Sequence, residues 1–273
     1  MIKIIVENNG VSKERENSYK EIIENYLKII QPQIDYLIIK IDVSERKFCS
    51  DIFTNRFLGF VAAAQLFPEP YIALFEPLMK TYSLDEVKAT ICHELCHLLH
   101  EHPTGLLFTK WNKKISSEKG NFIDDFVKSA IENFYSDYFV CSLMIKKGLI
   151  NEFITDTKSV RMPDLVEIKE KIKDRPFSQM QTLLTLIPNY SRIIAAKQNN
   201  IDLGFFESNF SEIKKIHPED VQKELDNLFT SLHRITEGVK FETIAKIILS
   251  SFKKIVNILL KEDLFDFKIG INE

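Results

Sequence analysis

Residues 92–97 read Cys-His-Glu-Leu-Cys-His, and within them His93, Glu94 and His97 form the pattern H-E-x-x-H. On a helix, residues four apart stack one turn apart on the same face. Two imidazoles so placed reach one zinc ion at roughly 2.0–2.1 Å each. Glu94 lies about 100° round from His93 at 3.6 residues per turn, so its carboxylate borders the same cleft. Such a trio suits metal-assisted hydrolysis. Zinc lowers the pKa of a bound water to about 7, and a neighbouring carboxylate takes its proton. The expected cofactor is therefore Zn2+, with His93 and His97 as ligands and Glu94 as the catalytic base.

The elements that must hold this trio are legible around it. Ser83 and Glu86 form an S-x-x-E capping box, which starts a helix. It runs to about His102 and stops at Pro103. Val87, Ile91, Leu95 and Leu98 make an apolar stripe, which Ala89, Cys92, Cys96 and Leu99 widen. His93 and His97 fall to one side of it, with Thr90 and His100. Cys92 and Cys96 point about 100° from the histidines, which suits packed thiols rather than a closed Cys/His zinc site. Upstream, the spacing predicts strands over 2–6, 34–43, 57–66 and 71–75, and a helix over 14–30 closed by Pro32. Pro68, Pro70 and Pro77 flank Tyr71–Phe75, which points to a sheet edge, because proline has no amide proton for a ladder. Downstream, a polar loop fills 103–120, and Asn121 caps a long helix that ends near Gly148. Beyond it, Pro163, Pro176, Pro188 and Pro218 punctuate a run of helices, and each suits a first helical turn. The expectation is an α+β chain with its strands in the first 80 residues. A small mixed sheet packs on the H-E-x-x-H helix and a second ligand helix. A first domain spans 1–150 and a helical region 151–273.

Composition narrows the function. The chain has 273 residues, 45% of them apolar, with 36 basic and 39 acidic residues and a net charge of −3. Nothing in that balance attracts nucleic acid. The start of the chain reads as a strand rather than a signal peptide. The most apolar stretch, Phe57 to Phe67, is too short for a membrane span, and the longer run Phe241 to Leu260 is interrupted by Lys246, Lys253 and Lys254, so it reads as an amphipathic core helix. Four cysteines are too few for a disulfide framework at this length, and a cytoplasmic location is expected.

Residues 57–145 resemble the zincin metallopeptidases, in which a sheet with an edge strand precedes the H-E-x-x-H helix and a second helix bears the third ligand. The resemblance implies zinc on His93 and His97, Glu94 as base, and a peptide or protein substrate lying antiparallel to an edge strand near Tyr71–Phe75. It leaves the third ligand open. The metzincin pattern H-E-x-x-H-x-x-G-x-x-H fails, because its glycine and last histidine fall on His100 and Pro103. His100 lies about 10.5 Å along the axis from His93, too far for one metal. His102 could fold back. The gluzincin pattern places Asp four residues after the ligand Glu, the Asp supporting a histidine. Here Asn133 stands four before Asp137, and Glu132 is one place out of register. Asp137 is the preferred ligand. It continues the stripe Ile123, Phe126, Ala130, Phe134, Cys141 and Met144, and a carboxylate buried without a partner costs several kcal/mol. Zinc would offset that cost, with Asn133 as a supporting partner. Glu132 shares its face with Asp125, Lys128 and Lys146. The run Asn133–Val140 also resembles the N-x-x-x-D-x-x-[IV] segment of a group of prokaryotic metallopeptidase-like domains. The rival to a zinc-dependent hydrolase is a non-catalytic zincin-derived scaffold. In it the metal is structural and the helical region binds a partner.

Overall fold

The computed structural model describes residues 2–51, 61–66, 68–99, 107–110, 117–160, 176–236, 238–261 and 268–271. His100, His102 and Trp111 lie outside them. The chain forms two compact units that interleave in sequence. Residues 1–101 and 139–160 make one, and 102–138 and 161–273 the other. The sequence pattern suggests a single cut after residue 150.

The first unit is built on strands β1 (Lys3–Asn9), β2 (Tyr36–Asp42), β3 (Ala62–Gln65) and β4 (Tyr71–Phe75), with helices α1 (Lys13–Ile30), α2 (Glu45–Asp51), α3 (Glu76–Met79) and α4 (Leu84–His97). The sheet order is β1-β2-β4-β3. β1, β2 and β4 run parallel, and β3 is antiparallel to β4. Tyr71–Phe75 is thus an inner strand, not the edge that its flanking prolines suggested. All five of its residues are buried. The physical reason is that Pro68, Pro70 and Pro77 stand outside the ladder and remove no donor from it. Pro70 even extends the pairing through its carbonyl, which accepts from Ile38 N at 3.0 Å. Among the described residues the edge strand beside β4 is β3.

Local chemistry explains the helices that matter most. In α1, Ser12 caps the first turn, Gln31 takes the left-handed conformation after the last, and Tyr19, Ile22, Ile23, Tyr26, Leu27 and Ile30 form the buried stripe. Burial of each such side chain contributes about 1.5–3 kcal/mol. The capping box of α4 is present in full. Ser83 N donates to Glu86 Oε2 at 2.7 Å, and Glu86 N donates to Ser83 Oγ at 3.3 Å.

Helix α5 (Ser117–Lys146) starts four residues before Asn121 and crosses from the second unit into the first. Gly148, with φ of +76°, ends it. Leu149 N bonds Met144 O there in the six-residue closure of a glycine-ended helix. Helix α6 (Ile150–Ser159) follows in the first unit. The second unit holds α7 (Pro176–Gln198), α8 (Gly204–Lys215), α9 (Glu219–Leu232) and α10 (Phe241–Leu260). It also carries two strands that the sequence reading lacked. β5 (Leu107–Lys110) and β6 (Lys268–Ile271) pair antiparallel, although the whole of 111–267 lies between them in sequence. The expectation of strands in the first 80 residues alone is therefore corrected. Pro188 is a second correction, since it sits inside α7 rather than in a first turn. α10 is the amphipathic core helix expected, with ten buried residues on one side. No described helix is long and apolar enough to cross a membrane.

One buried group in the second unit sets an acid limit. His217 is 3% exposed, and its Nε2 lies 2.9 Å from Thr182 Oγ1. Burial pushes its pKa down from 6.5 to about 4. The unfolded chain binds this proton first, so stability falls as pH drops from 6.5 toward 4, by about 1.4 kcal/mol per pH unit. Urea unfolding midpoints across that range should show the slope, and His217→Gln should flatten it. An unchanged slope in the variant would assign the acid sensitivity to other groups.

Candidate metal centre

α4 packs against α1, β3 and α6, which leaves little of it in solvent. Thr90 and His93 are buried along with the apolar stripe. The histidine side of the helix is therefore not a solvent face. α6 covers it.

His93 and His97 approach as their spacing requires. Their Nε2 atoms stand 3.2 Å apart, and the rings meet edge to face with centroids 5.0 Å apart. Two nitrogens bound tetrahedrally to one zinc at the usual bond length lie roughly 3.3 Å apart. The pair thus fits a shared ion. Glu94 offers a carboxylate oxygen to the same group, and the ligand atoms of His93, Glu94 and His97 all lie within 4.8 Å of one another. His93 is 5% exposed, whereas Glu94 and His97 are half-buried and can be reached by water.

Asp156 on α6 completes the arrangement. It is 6% exposed, and its Oδ2 lies 3.1 Å from His93 Nδ1. A carboxylate there faces the ring on the Nδ1 side, away from the Nε2 that a metal would take, and its charge favours an imidazole carrying a cation. The sequence reading missed Asp156. The signal was nevertheless present: Glu152 and Asp156 have the Glu-then-Asp spacing of four, on the helix after α5. Glu152 itself accepts a hydrogen bond from Tyr26 at 3.0 Å.

The preferred third ligand, Asp137, stands on α5. Asp137 and Glu132 both sit on the part of α5 that belongs to the second unit. Both are half-buried. The contrast in burial that the stripe suggested is absent, because the buried line of α5 runs through Phe134, Tyr138 and Cys141 and passes beside Asp137. Asn133 is half-buried as well. His102 lies outside the described residues.

The cysteines behave as core residues. Cys49, Cys92, Cys96 and Cys141 are free and buried. A hydrogen bond with Cys96, together with burial, pushes the Cys92 thiol well above its ordinary range and keeps it protonated. It packs as a small core residue. Tyr138 donates to Gln198 at 2.9 Å, and the Tyr135 ring meets Phe241 edge to face. Both tyrosines serve packing in the second unit.

Residues 28–122 match the model of peptidase family M48. The matched segment contains β2, β3, β4, α4 and the H-E-x-x-H trio, and ends before Glu132, Asp137 and Asp156. No curated protein and no solved structure matches the chain significantly. M48 peptidases are zinc-dependent, and the match together with the trio supports a zincin-type zinc metallopeptidase segment over residues 28–122.

Proposed function

We propose that this metallopeptidase cleaves peptide bonds with zinc held by His93, His97 and one further carboxylate, and with Glu94 as the general base. The observation that carries the reading is the 3.2 Å approach of the two Nε2 atoms beside a reachable carboxylate. Zinc, when bound, supplies a Lewis acid that polarises the scissile carbonyl and acidifies water. Glu94 takes the proton of the attacking water on a carboxylate oxygen and passes it to the amine nitrogen, which then leaves neutral. Asp156 holds the His93 ring in orientation throughout. An extended substrate would pair with β3, the edge strand among the described residues. Four free cysteines suit a reducing compartment, and the proposed location is the cytoplasm.

Asp137 supplies the third ligand in this reading, with Asn133 one turn before it as support. Glu132, also half-buried, is the rival. A second reading rests on its own observation: Asp156 already supports His93, and Glu152 stands four residues before it. Zinc affinity measured for Asp137→Ala, Glu132→Ala and Glu152→Ala decides between them. Loss of a ligand should exceed the roughly 10–100-fold that supporting residues cost. Asp137→Ala is expected to show that loss, and the other two are not. The activity itself is tested on a peptide library. Cleavage should stop on chelation and return with zinc. Zinc binding without any cleavage would leave the non-catalytic scaffold as the better reading.

A further inference from the structure

We propose that a second copy of this chain docks on β1, antiparallel to it about a two-fold axis at Ile5, so that two sheets join edge to edge. β1 ends the sheet at the side opposite β3. Lys3 N donates to Asp35 O at 3.0 Å, so the backbone groups of Lys3, Ile5 and Glu7 face β2. Those of Ile4 and Val6 face outward, and among the described residues no strand pairs with them. Burial falls off toward this edge. Leu37 and Ile39, the partners of Ile4 and Val6 on β2, are fully buried. Ile4 and Val6 are half-buried, and Ile5 is 38% exposed. Three successive β-branched residues on an open edge make a template for a further strand.

The placing of charge selects the partner. Lys3 and Glu7 are exposed, share a face with Ile5, and stand two residues to either side of it. Neither makes an ion pair among the described residues. Antiparallel pairing about Ile5 sets Lys3 opposite Glu7 of the second copy, and the axis repeats the pair with the roles exchanged. Ile4 then meets Val6 of the second copy, and their outward backbone groups exchange two N–H···O bonds, which the axis repeats. Ile5 meets its own counterpart in a non-hydrogen-bonded pair, where side chains approach most closely. A shift of the axis by one residue undoes the match: about Ile4, Lys3 faces Ile5, and about Val6, Glu7 faces Ile5. Pairing in parallel and in register would set like charges side by side. A lysine alone would blunt the edge. A lysine and a glutamate equidistant from one residue favour one register of a strand with itself. β3, at the other edge, takes no part in this pairing.

Sedimentation equilibrium of the whole chain tests the proposal. A strand pair buries less than the roughly 1,600 Å² of a standard interface, so a weak, reversible dimer is expected and loading runs to about 100 µM. Lys3→Glu should raise the dissociation constant about 10-fold, because it removes both ion pairs and sets like charges opposite each other, and Glu7→Lys should do the same. The double variant, Lys3→Glu with Glu7→Lys, should return to the wild-type constant. Val6→Pro removes an N–H that the sheet does not use, so it should abolish the dimer. Ile5→Cys should give a disulfide-linked dimer on mild oxidation, since residues facing each other there have Cα atoms about 4.5 Å apart, within disulfide reach. The wild type, whose four cysteines are buried, should not. Where Val6→Pro fails to fold, the charge exchange and the cross-link decide. A wild type that stays monomeric overturns the proposal and leaves β1 to a different partner or to none. So does a dimer that ignores the single charge reversals, one that the double variant does not restore, or one that Ile5→Cys does not link.

Discussion

His97→Ala should abolish zinc binding and leave the fold standing, whereas His93→Ala should lose zinc and stability together. Both changes remove one of the two closely set nitrogens, so the metal keeps only one imidazole. The affinity loss should exceed the roughly 10–100-fold typical of supporting residues. The difference lies behind the rings. His97 is half-buried, and its removal opens space that water can fill. His93 is buried against Asp156, itself 6% exposed. Removing the buried imidazole leaves a cavity beside that carboxylate, and large-to-small changes in the interior cost about 2–5 kcal/mol. Elemental analysis gives the metal content, and urea unfolding of the metal-free variants gives the stability. Equal stability of the two metal-free variants would show that no such cavity persists at His93. Wild-type zinc content in either variant would remove these histidines from the site.

Glu94→Gln should retain zinc and lose hydrolysis. The amide keeps the size and polarity of the carboxylate, so the half-buried position is filled as before. An amide cannot take a proton from water at neutral pH. General base catalysis contributes about 10²–10⁴-fold, and a loss of that order in kcat is expected with little change in KM. Zinc content distinguishes this from the histidine variants: metal present and activity absent is the signature of a missing base. A Glu94→Gln enzyme that turns over peptide at the wild-type rate would show that another group takes the proton.

The sequence alone determined the local part of this protein. Glu86 caps with Ser83 because three residues separate them, and His93 meets His97 because four do. These are consequences of helix pitch, and no distant residue can alter them. The apolar stripes of α1 and α10 follow from the same periodicity. Tertiary structure decided everything that depends on which surfaces meet. Tyr71–Phe75 became an inner strand because β3 pairs on its far side, and the prolines outside its ladder had no power to forbid that. The histidine side of α4 is buried because α6, more than fifty residues later, lies over it. Asp156 reaches His93 for the same reason. β5 found β6 near the other end of the chain. Asp137 is only half-buried because the packed line of α5 passes through Tyr138 instead. Periodicity shows that a helix has an apolar side, but the width and exact bearing of the buried side are set by its neighbours. Pairing between segments far apart in sequence leaves no local trace, because either partner alone is compatible with many others.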